Sequence, residues 1–131
     1  MTRNSTQVSW AQASDSDGPA FTDDVVLEAA VLRKPVRGRI EVEAVMAAAA
    51  DYYTRLAFTH QTTSGARTYL EWEAAAPDGT ELAGVTVLTR NRDGRVEHVA
   101  IHHRPLDAAL EFSRVIGRRT AGVVAPGSFA D

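Results

Sequence analysis

The chain has 131 residues, the length of one domain with a sizeable core. An apolar share of 44% beside 24% charged residues is ordinary for a soluble globular protein. The net charge of −3 supplies no basic face for phosphate contacts, so no nucleic-acid partner is expected. There are no cysteines, which excludes disulfides, thiol chemistry and Cys-based zinc sites, and no apolar run approaches the ~18 residues of a membrane span.

Residues 1–20 are rich in Ser, Thr, Asp and Gly and predict a flexible arm, with one short helical turn around Trp10. The opening stretch has no apolar h-region, so a secretory signal is not expected and a cytoplasmic location is. Thr22 to Leu32 alternates as a strand, with Val25, Leu27, Ala29 and Val31 on one face and Val26, Glu28 and Ala30 on the other. Pro35 ends it. The period then changes. Val42, Val45, Met46, Ala49 and Tyr53 fall on one helical stripe, and Gly38 stands at its start.

Four strands are expected next. Ala57 to Thr62 puts Phe58 and His60 on the same side. Arg67 to Ala75 turns Leu70, Trp72 and Ala74 inward and Tyr69, Glu71 and Glu73 outward. The stretch PDGT, residues 77–80, is a turn in which Pro fixes φ and Gly accepts φ > 0. Glu81 to Thr89 returns as a hairpin partner, and NRDGR turns again into Val96 to Arg104. Pro105 opens a last helix whose inner stripe is read as Leu106, Ala109, Leu110 and Ser113, with Gly117 as its C-terminal cap. The tail, residues 118–131, has no period and is expected to fray. This order of elements implies an α+β protein: a mostly antiparallel sheet with helices on one face.

Three of the four histidines sit in VEHVAIHHRPLD: His98, His102 and His103. On a helix, His98 and His102 would be i, i+4 neighbours able to share a zinc ion. On the strand that Val96, Val99 and Ile101 indicate, a rise of ~3.3 Å per residue separates them by roughly 13 Å, and His102 and His103 point to opposite faces. No metal site is expected. One of these imidazoles facing a pocket would suit proton transfer, given an ordinary pKa near 6.5. Alternation alone leaves open which face turns inward. His60, beside Phe58 on an apolar face, is the other candidate for an acid or base. Asp23 and Asp24 precede a strand and read as turn-closing residues.

Two stretches resemble a known family. TDDVVLEAAVLRKPVRGRIEVEAV resembles the opening of nuclear transport factor 2-like proteins, and LAGVTVLTRNRDGRVEHVAIHHRPL is similar to the closing strands of their SnoaL-like branch. The likeness covers roughly residues 21–117. It implies a strongly curved sheet wrapped by helices into a cone with an apolar cavity, and a homodimer formed through the outer face of the sheet. The family includes ketosteroid isomerases, polyketide cyclases, epoxide hydrolases and dehydratases. The catalytic Asp of the steroid isomerases is matched here by Ala29, their second acid falls near Ala83 to Thr86 where no carboxylate stands, and their N-terminal helix with its Tyr is missing or shortened. The Arg and paired Asp of the epoxide hydrolases are not recognisable, and the late-strand Asp usual in the cyclases is replaced by histidines.

Two functions follow from these readings. One is binding of a small apolar molecule with cofactor-free acid–base catalysis of the isomerase, cyclase or dehydratase type by His60 with His98, His102 or His103. Leu27, Met46, Tyr53, Phe58 and Trp72 would then shape the cavity. The other is a non-catalytic dimeric binding or interaction module with the same cavity.

Overall fold

A computed structural model of the chain describes residues 21–131, so the arm and the helical turn near Trp10 lie outside the described residues. Alternation builds β1 (Phe21–Ala29), whose Val25 and Leu27 are fully buried while Asp23, Asp24 and Glu28 are exposed. The expected strand thus stops short of Leu32. Asp23 and Asp24 lie within an irregular stretch of β1, and Asp23 pairs with Arg39 at 3.5 Å instead of closing a turn. A two-residue strand, β2 (Val36–Arg37), follows Pro35.

Gly38, with φ +98°, leads into helix α1 (Arg39–Tyr52). Its buried residues are Val42, Val45, Met46, Ala49 and Tyr52. Tyr53 was expected on this stripe, but it is extended, at φ −72° and ψ 131°, and ends the helix. Strands β3 (Arg55–Ser64), β4 (Arg67–Ala75), β5 (Glu81–Arg90) and β6 (Val96–Arg104) follow, then α2 (Leu106–Arg119).

The six strands form one sheet in the order β2-β1-β6-β5-β4-β3. All neighbours are antiparallel except β1 and β6, which run parallel. Leu70, Trp72 and Ala74 of β4, Leu82 and Leu88 of β5, and Val99 and Ile101 of β6 join both helices in a single core. Burial of each large apolar side chain there contributes about 1.5–3 kcal/mol. This is the expected α+β architecture. No helix among the described residues is long and apolar enough to cross a membrane.

Three expectations at the C-terminal end are corrected. The last helix turns Ala108, Ala109, Phe112, Ser113 and Ile116 inward, whereas Leu106 and Leu110 are 76% and 38% exposed. Ala109 and Ser113 of the expected stripe are buried, and Phe112 and Ile116 complete it in place of Leu106 and Leu110. Nor does Gly117 cap the helix, which runs on to Arg119. A Cβ at Gly117 would stand 2.9 Å from Cβ of Phe129, so glycine here admits the returning tail. That tail does not fray. Leu32 bridges Phe129, Arg33 N–H donates to the Ser128 carbonyl at 2.7 Å, and Ala130 N–H donates to Ser113 Oγ at 2.8 Å. Val124 and Phe129 are buried. Aperiodic sequence conceals such packing, because it depends on two apolar anchors and not on a stripe.

Candidate functional site

The inward face of β6 carries Val99, Ile101 and His103. A shift of register between the pairs Thr89–His98 and Arg90–Val96 leaves Glu97 unpaired and turns Val96 inward as well. His98 and His102 therefore stand on the outer face. His98 Nε2 lies 2.8 Å from Glu28 Oε1.

A second bulge decides the position of His60. Phe58 pairs with Trp72, but His60 pairs with Glu71, so Thr59 is the extra residue. One added residue flips every side chain beyond it. His60 is thus exposed on the outer face, with Nδ1 3.0 Å from Glu71 Oε1, and does not share a side with Phe58. Of the four histidines, the fold brings His103 alone to the interior crevice.

That crevice lies between the sheet and the helices. Its lining includes Leu27, Met46, Tyr53 and Trp72, the expected residues, together with Ile101, His103 and Phe112. Phe58 packs against the core but does not line it. Ala29 does line it, and no carboxylate does. The free volume is about 20 Å³, room for a single water-sized group.

Aromatic rings frame the space. Tyr53 stacks on Phe112 with centroids 5.3 Å apart, and His103 meets the Trp72 ring at 5.5 Å and the Phe112 ring at 5.3 Å. Trp72 Nε1–H donates to Thr86 Oγ1 at 3.0 Å, which satisfies both buried groups. Trp72 meets His103 edge-on with planes 73° apart, whereas Tyr53 and Phe112 lie nearly parallel at 12°. Phe112 was not foreseen, since the expected stripe of the last helix left it out.

His103 is half-buried, but its Nδ1 is fully buried and has no hydrogen-bond partner. Burial lowers its pKa from 6.5 to about 4, with the neighbouring His102 adding to the effect. The ring is therefore neutral at pH 7. Burial also raises the Tyr53 phenol above its ordinary value, with Tyr52 contributing, so that it stays protonated. Among the described residues no cluster of His, Asp and Glu is arranged to hold a metal ion.

No family model matches the sequence, and no curated protein matches it. Solved structures do match. An uncharacterized bacterial protein with a cystatin-like fold from Silicibacter pomeroyi DSS-3 aligns with a TM-score of 0.74 at 18% identity, covering 79% of this chain and 73% of that one. A steroid delta-isomerase from Pseudomonas aeruginosa aligns with a TM-score of 0.72 at 24% identity, covering 78% and 75%. A SnoaL-like protein from Jannaschia sp. CCS1 aligns with a TM-score of 0.56 at 17% identity, covering 68% and 70%. The chain has the cystatin-like α+β fold that nuclear transport factor 2-like and SnoaL-like proteins share. At these identities the likeness defines a fold that hosts many activities and does not define a reaction.

Proposed function

We propose that the protein binds a small, uncharged, largely apolar molecule in the crevice between sheet and helices, anchored by one hydrogen bond to His103. The observation that carries this reading is the buried, unpartnered Nδ1 of His103 inside an aromatic frame. A buried polar atom left without a partner costs about 1–3 kcal/mol, and a ligand hydroxyl or N–H removes that cost. With the ring proton on Nε2, Nδ1 is an acceptor and selects a donor. The lining offers no carboxylate to a cation and no Lys or Arg to an anion. Met46, unbranched and adaptable, is the side chain best suited to move aside for a ligand larger than the present free volume.

Binding is favoured over catalysis. A base of pKa about 4 has little driving force for proton abstraction near pH 7, and the other three histidines stand outside the crevice. The test is a thermal-shift and nitrogen-15 imidazole NMR series with phenol, small aliphatic alcohols and their donor-free hydrocarbon counterparts. Donor-bearing probes should raise Tm and shift the His103 Nδ1 resonance, and His103→Phe should remove the preference for donors. Probes that leave that resonance unmoved, or an unchanged preference in the variant, would refute the proposal.

A further inference from the structure

The tail returns along α2 without closing on it. Between the C-terminal end of the helix and residues 120–131 lies an open hollow of about 490 Å³. Small-molecule sites measure roughly 300–1,000 Å³. The walls of the hollow are already fixed. Ser128 Oγ donates to the Ala125 carbonyl at 2.7 Å, Thr120 Oγ1 donates to the Ile116 carbonyl at 2.9 Å, and Phe129 seats against Gly117. A preformed wall spares a ligand the entropy of ordering it. The hollow shares no lining residue with the crevice.

Its charge runs against that of the whole chain. The net charge is −3, yet the charged residues of the hollow are two arginines and one aspartate. Arg114 and Arg118 stand one turn apart on one face of α2, with Cβ atoms roughly 6 Å apart. Like charges at that spacing repel. A helix C-terminus favours a cation, but Arg119 already stands there, 3.0 Å from Asp51 and outside the hollow. The Arg118 side chain makes no ion pair or hydrogen bond among the described residues. Arg114 uses one of its N–H donors on the Asp131 carbonyl, at 2.7 Å, and its Nη1 lies 3.8 Å from Glu111. The Asp131 carboxylate faces Arg33, at 3.7 Å. Val124, Ala125, Pro126 and Phe129 make the opposite wall apolar.

We infer that the hollow binds a small organic carboxylate, its head between Arg114 and Arg118 and its apolar body along the tail. A planar guanidinium matches a carboxylate with two parallel N–H to oxygen bonds. An anion between the two arginines turns their repulsion into attraction. Neither part of the ligand suffices alone. A bare anion leaves the wall of Val124, Ala125, Pro126 and Phe129 in water, and an uncharged body leaves Arg118 unmatched. The hollow thus takes the class of ligand that the crevice, with no Lys or Arg in its lining, does not.

Nitrogen-15 amide NMR of the full chain tests this, with circular dichroism to confirm that each variant is folded. The amides of Gly117, Gly122 and Gly127 report the hollow, and the His103 imidazole reports the crevice. The probes are phenylpropionate, acetate as the head alone, and phenylpropanol as the uncharged body. Phenylpropionate should shift the glycine amides with a Kd at least about tenfold below that of either control. Arg118→Gln should raise that Kd at least about tenfold. Arg119→Gln removes the same charge one residue away and should change it by less than about twofold. Glycine amides that millimolar phenylpropionate leaves unmoved overturn the inference. So do equal losses in the two variants, or a control probe that binds the hollow as tightly as phenylpropionate.

Discussion

Acidification should destabilise this protein through His103 before its carboxylates protonate. The folded ring resists protonation down to about pH 4, whereas the unfolded chain takes up a proton near 6.5. Between those values the unfolded state binds more protons, so stability rises with pH across the window. The contribution is full above 6.5 and is lost as pH falls from 6.5 towards 4. That interval corresponds to roughly 3 kcal/mol at ~1.4 kcal/mol per pH unit, which the partial exposure of the ring trims to about 2 kcal/mol. Urea unfolding of native protein and His103→Phe at closely spaced pH values measures it. The variant keeps an aromatic ring beside Trp72 and Phe112 and removes the orphaned Nδ1, so at pH 7 it should be as stable as native or more so. Its stability should fall less steeply than native between pH 6.5 and 4. Parallel curves for the two proteins would refute the assignment of a buried neutral imidazole.

Gly84→Ala should unfold or severely weaken the chain, by about 3 kcal/mol or more, since overpacking a core against fixed backbone leaves nowhere to relax. The new Cβ would overlap the His102 carbonyl oxygen and sit 2.6 Å from Cζ2 of Trp72, which should also shift tryptophan fluorescence. A variant within about 0.5 kcal/mol of native in urea would contradict the close approach of β5, β6 and Trp72. Phe129→Ala should cost about 3 kcal/mol and expose the tail to limited proteolysis while leaving the sheet intact. Equal protease resistance in variant and native would show that Phe129 does not anchor the tail.

The alternation of RTYLEWEAA set the faces of β4, and the helical spacing of Val42, Val45, Met46 and Ala49 set the buried side of α1. Both readings depend only on local period, which is why they were legible before folding was considered. The turns at PDGT and NRDGR were equally legible, because Pro and Gly restrict or permit φ locally. Leu27, Met46, Tyr53 and Trp72 were named for a cavity that the family resemblance implied, and all four line the crevice.

The histidines were decided by tertiary structure. No local rule placed the extra residue at Thr59 that turns His60 outward, or told which face of β6 meets the helices. Strand pairing fixes register only when both partners are in place, and a one-residue slip exchanges the two faces. The last helix was misread for a related reason: Leu106 and Leu110 fit a helical stripe as well as Phe112 and Ile116 do, and only the shape of the core chose between them. The tail was decided likewise, since Phe129 finds its place through a gap that Gly117 leaves on a helix twelve residues earlier. Sequence determined the elements and the chemistry available to them; the pairing of distant strands determined that one imidazole, and not four, stands in the interior.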